Sequence, residues 1–93
     1  MFVGICRIEL FLHSNDSLKG KRRILKSIKE RIRNNFNVSI SEVGSNDKWQ
    51  TAEIGVAAIS NEKRHLNSIL NKVVDFIDAM HTAEMVGYNI EIY

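Results

Sequence analysis

Four stretches of this 93-residue chain alternate apolar and polar side chains with period two, and two longer ones repeat with the helical period. Their order is strand, helix, strand, strand, helix, strand. That order predicts an α+β sandwich in which a four-stranded antiparallel sheet carries both helices on one face. With 44% hydrophobic residues, the chain is expected to form one domain, 1–93, around a modest core. Proline is absent, glycine is sparse and no internal repeat divides the sequence.

The first strand is expected over Phe2 to Leu12. Phe2, Gly4, Cys6, Ile8, Leu10 and Leu12 form a wholly apolar face, whereas Val3, Ile5, Arg7, Glu9 and Phe11 carry the charge. Polar residues at 13 to 16 end it, and Asp16 or Ser17 is the expected N-cap of a helix reaching about Asn35. Leu18, Ile24, Leu25, Ile28 and Ile32 share an apolar arc of roughly 120° on that helix. Lys19, Arg22, Arg23, Lys26, Lys29 and Arg33 fill a neighbouring arc. Lys21 sits at the N-terminal edge of the apolar arc, its stem expected to pack while its ammonium reaches water. Phe36 should close the helix onto the core.

The second strand is expected from Asn37 to Val43, with Val38, Ile40 and Val43. Gly44 to Lys48 have hairpin chemistry, and a third strand follows over Trp49 to Ser60. Ile54, Val56 and Ala58 lie on one side of it, and Glu53, Gly55, Ala57 and Ile59 on the other. Asn61 is the expected cap of a second helix whose stripe is Leu66, Ile69, Leu70, Val73, Phe76, Ile77 and Met80. The last strand, about Met85 to Tyr93, sets Val86, Tyr88, Ile90 and Ile92 against Gly87, Asn89, Glu91 and Tyr93. The split βαβ arrangement makes the whole a ferredoxin-like βαββαβ sandwich, with the first and third strands central.

Charge is distributed unevenly. Eight of the thirteen basic residues fall within Lys19 to Arg33, opposed only by Glu30, so that segment carries +7. The remainder holds five basic and ten acidic residues, or −5, which gives the net +2. Such clustering costs self-repulsion and attracts a polyanion. The helix dipole adds its own positive end where Lys19, Lys21, Arg22 and Arg23 stand, and a phosphate would relieve both. The candidate nucleic-acid-binding residues are therefore Lys19, Lys21, Arg22, Arg23, Lys26, Lys29 and Arg33. The plainer reading is a solvated helix, aided by Glu30 pairing with Lys26 or Arg33.

The sheet's open face lacks the central aromatic pair on which RNA-recognition motifs stack bases. Arg7, Glu9, Glu53, Gly55 and Ala57 stand there instead, and these suit self-association or plain solvation. Trp49 is read first as a lid over the sheet edge and second as a contact for a partner or a stacked base. His13, His65 and His81 lack metal-ligand spacing, no nucleophile elbow or phosphate loop is present, and no cofactor is expected. His13 to Asp16 is the one place where polar groups converge, and catalysis is not expected. The longest uncharged apolar run, Ile54 to Ile59, is far below the roughly 20 residues of a membrane span. Cys6 has no partner thiol, and with no signal peptide a cytoplasmic protein is expected.

The run Ser17-Leu18-Lys19-Gly20-Lys21-Arg22-Arg23, then Phe36-Asn37-Val38-Ser39, Glu42-Val43-Gly44 and Trp49-Gln50, resembles the YlxP-like family of small bacterial proteins. Ile54-Gly55-Val56-Ala57 and Lys72-Val73-Val74-Asp75-Phe76-Ile77 extend the likeness over nearly the whole chain. The resemblance implies the ferredoxin-like fold and no established activity. It also implies an association with ribosome maturation or translation, because genes of that family lie beside those for ribosome maturation, transcription elongation and translation initiation factors in many bacteria. The family's Ser-Leu-Lys-x-Lys-Arg pattern falls on Ser17, Leu18, Lys19, Lys21 and Arg22. Relatives often carry charge at position 20 and proline just after the first strand, where this chain has Gly20 and Ser14. Both departures are expected to leave the opening of the helix less rigid, Gly20 by about 1 kcal/mol relative to alanine.

Together these readings predict a non-catalytic RNA-binding protein, with structured RNA, expected to be ribosomal, as the partner. The alternative is a dimeric regulatory or scaffold module that pairs as a homodimer through its sheet and holds a small anion near His13 to Ser17.

Overall fold

The computed structural model describes all residues, Met1–Tyr93. The strands are β1 (Phe2–Phe11), β2 (Ser39–Gly44), β3 (Thr51–Ser60) and β4 (Glu84–Ile92), and the helices are α1 (Leu18–Asn35) and α2 (Lys63–Met80). They form one antiparallel sheet in the order β2-β3-β1-β4, with β1 and β3 in the centre. The expected architecture is therefore present, and most element ends shift by one or two residues.

Period two on β1 explains the burial. Cys6, Ile8, Leu10 and Leu12 are at most 1% exposed and meet Leu25, Ile28 and Ile32 of α1 and Leu70, Val73 and Ile77 of α2 in a single core. Burying these side chains supplies about 1.5–3 kcal/mol each, enough to hold two amphipathic helices on one face. Gly4 permits the close approach of α2, because a β-carbon there would lie 2.9 Å from Leu70 Cδ1. Phe36 closes α1 onto the core through an edge-on contact with Phe76, ring centres 5.6 Å apart.

Three details differ from expectation. The N-cap of α2 is Glu62 rather than Asn61; its own side chain makes no capping bond, and its N–H donates to Ser60 Oγ at 3.1 Å. On β4 the register slips opposite Glu9 and Leu10, so Met85 rather than Val86 pairs with Leu10 and packs on the core. Val86 is turned out, 59% exposed. A similar slip after Glu42 leaves Val43 exposed and resting against Gly55 on the open side of the sheet. Each extra residue reverses the alternation that sequence periodicity assumes.

Candidate nucleic-acid interface

Ser17 opens α1 as its N-cap, its hydroxyl accepting from Gly20 N–H at 3.0 Å. No acidic residue occupies the first turn, so the cations gathered at the positive end of the dipole have no carboxylate within that turn. Lys19, Arg22, Arg23, Lys26 and Arg33 are exposed and Lys29 is half-buried. None of these six has a carboxylate within 4.0 Å. Glu30 is exposed and pairs with neither Lys26 nor Arg33, so the pairing that the plainer reading adds is absent. Arg33 instead donates to the carbonyl of Ile40 at 3.0 Å and ties the end of the helix to β2.

Lys21 does not belong to this surface. It is 1% exposed, and its ammonium donates to the carbonyls of Ser45 at 2.5 Å and Lys48 at 2.8 Å. Glu42 Oε2, itself closed off from solvent, lies 2.8 Å from the same nitrogen and has no other partner. The ammonium thus fastens α1 to the β2–β3 connection and cannot reach a phosphate. The expectation that it meets water is overturned by these two carbonyl acceptors and the facing carboxylate, which compensate its desolvation.

The same corner is fastened a second time. Asn15 donates through its amide to the carbonyls of Ser17 at 2.9 Å and Trp49 at 2.5 Å, and Leu12 N–H donates to Gln50 O at 2.7 Å. Gly20 makes room for this side chain, since a β-carbon there would fall 2.3 Å from Asn15 Oδ1. Ser14 stands at φ 63°, a backbone conformation closed to proline. Both departures from the family pattern thus belong to a tightly held loop, not a loosened one. Trp49 is 55% exposed and is not among the apolar side chains packed on the core.

On the open face, register sets Glu9 directly opposite Glu53 and Arg7 opposite Gly55. Like charges in that position repel, so the middle of the sheet disfavours phosphate. Tyr93 pairs with Val3 near the end of the sheet, and its hydroxyl donates to Glu91, which holds its pKa above the usual value. A polar hollow gathers His13 with Asp78, His81 and Glu84, partners that sequence spacing does not disclose, and His13 Nε2 lies 2.6 Å from Glu84 Oε1. The antiparallel pairing of β1 with β4 brings these two residues together across most of the chain. No three His, Cys, Asp or Glu side chains are grouped as metal ligands. No helix is long and apolar enough to cross a membrane.

Topology and layer arrangement define a small α+β protein of the ferredoxin-like fold. The fold is shared with the solution structure of the de novo designed protein LFR1 1, at a TM-score of 0.52 and 12% identity, covering 100% of this chain and 84% of that one. The chain belongs to the family described as Protein of unknown function (DUF503), which matches residues 3–90. It is similar to the Uncharacterized protein YlxP of Bacillus subtilis (strain 168), with 40% identity over 82 residues, 88% of this chain and 89% of that protein.

Proposed function

We propose that this protein is a non-catalytic, cytoplasmic RNA-binding protein that contacts the phosphate backbone of structured RNA, ribosomal RNA in particular, across α1. One observation carries the reading: six cations on one helix, Lys19, Arg22, Arg23, Lys26, Lys29 and Arg33, lack any carboxylate partner. Phosphates would supply the missing counter-charge, and no base-reading pattern is evident on the helix itself. With about five phosphates engaged, the slope of log affinity against log salt is roughly −3 to −5. Replacing Arg22, Arg23 and Lys26 by Gln should lower affinity for a ribosomal RNA fragment and reduce that slope by about 2–3. Equal affinity of the variant and the native protein would remove the proposal.

A second reading is pairing of two copies through the open sheet face. Ile59 and Tyr93, each more than half exposed, lie beside Val3 at one end of that face, and Val43 and Val86, also more than half exposed, flank the other end, where Glu9 opposes Glu53. A second copy's Arg7 would neutralise that pair. Arg7→Glu should then shift a concentration-dependent dimer to monomer in sedimentation equilibrium; a native protein that sediments as a monomer at millimolar concentration rejects it.

A further inference from the structure

The β2–β3 connection and the loop before α1 enclose a shallow shelf beside the first turn of the basic helix. Its floor and walls include Phe11, Asp16, Asp47, Lys48, Trp49 and Gln50. Trp49 is its largest side chain and more than half exposed, which leaves the indole open to a stacking partner. The shelf is not a loose flap. Asn15 donates to the Trp49 carbonyl, and the buried Lys21 ammonium grips the carbonyl of the preceding residue, Lys48. The indole's backbone is therefore fixed to the residues that open α1, and Lys19, Arg22 and Arg23 follow within two turns.

We propose that this shelf holds one unpaired guanine of the RNA whose backbone lies along α1. The inference rests on the RNA reading above and names the recognised feature. Aromatic side chains stack exposed bases, and in structured RNA such bases occur in loops and bulges. The two carboxylates on the shelf outnumber its one cation, Lys48, so they suit a base edge rather than the backbone. Guanine alone presents two adjacent N–H donors, N1 and N2, on its Watson–Crick edge, and one carboxylate accepts both. Adenine and cytosine set a ring acceptor beside their amino donor, and uracil sets carbonyls on both sides of its single donor; each would face a carboxylate with lone pairs. The helix supplies sequence-independent attraction, and the shelf supplies the choice of base.

The test uses the full chain and four stem-loop RNAs with one stem and a single unpaired G, A, C or U. Trp49 is the only tryptophan, so its emission reports on the shelf directly. Binding should quench it most strongly with G. Trp49→Ala should weaken the G stem-loop about ten-fold, measured by anisotropy of labelled RNA, and Trp49→Phe should restore most of that loss. Asp16→Asn with Asp47→Asn should level the four affinities without lowering the salt slope. If the RNAs bind in a manner sensitive to the Arg22, Arg23 and Lys26 substitutions yet leave the emission unchanged, the shelf inference fails and the helix reading stands. If no RNA binds, both fail. Quenching by guanosine monophosphate as tight as by the G stem-loop would assign the shelf to a free nucleotide and overturn RNA as its ligand.

Discussion

The ammonium of Lys21 and the carboxylate of Glu42 face each other at 2.8 Å across the junction of α1 and β2, with the lysine side chain 2% and the glutamate 19% exposed. Removing one partner from such a pair leaves the other charge in a poorly solvated site, at a cost of about 3–5 kcal/mol when burial is complete. Glu42 retains some water, so Lys21→Met should lower stability by about 2–4 kcal/mol in urea titration. Adding Glu42→Leu should recover part of the loss. A cost for Lys21→Met below about 1 kcal/mol would show that the pair contributes little.

That pair also shows what the sequence could and could not disclose. Lys21, Leu25, Ile28 and Ile32 are spaced i, i+4, i+7 and i+11, so the lysine continues the buried stripe by one turn. The position was legible, but its acceptors were not. They are the backbone carbonyls of Ser45 and Lys48, whose direction depends on a turn with Ser45 at φ 56°. The six strand and helix segments were legible because each is long and keeps one period. The slips at Val43 and Val86 were not, since a bulge arises from pairing between strands and leaves no mark on either strand alone. The cationic face needed only helical spacing. The shelf at Trp49 and the His13–Glu84 contact needed three-dimensional neighbours.

Gly20 offers a sharper test of the loop. Helix propensity alone predicts that Gly20→Ala stabilises by about 1 kcal/mol. The new β-carbon would instead collide with Asn15 Oδ1 and crowd Ser17 Oγ, disturbing the clamp on Trp49 and the N-cap together. Each is worth about 1 kcal/mol, so Gly20→Ala should destabilise by about 1 kcal/mol and shift Trp49 emission to the red. In an Asn15→Ala background the same change should become neutral or stabilising. Simple additivity of the two substitutions would contradict the clamp.

Glu9 and Glu53 stand opposite each other on the two central strands. Glu53→Gln keeps the shape and removes one charge, so the isolated chain should gain about 0.2–1 kcal/mol. The gain should shrink as salt rises from 0.05 to about 0.5 M, because both groups border solvent and the Debye length falls. A loss of stability at low salt would mean that Glu53 serves a local contact stronger than its repulsion from Glu9.

Cys6 links the core to alkaline stability. Its side chain is 0% exposed, and burial pushes the thiol up to about 11 from an ordinary value of 9.0, slightly moderated by a hydrogen bond from the Asn89 backbone. The folded state therefore keeps its proton to higher pH than the unfolded state. Below about pH 9 both states are protonated and the thiol adds no pH dependence; between about 9 and 11 the unfolded chain ionises first. Stability should fall across that window by up to about 1.4 kcal/mol per pH unit from this group. The difference between the native chain and Cys6→Ala isolates the thiol from every other group. The variant should be less stable at pH 8 through its cavity, and the gap should narrow towards pH 10.5 in urea titrations. A gap independent of pH would mean that the thiol ionises equally in both states, and that Cys6 is not sealed within the core.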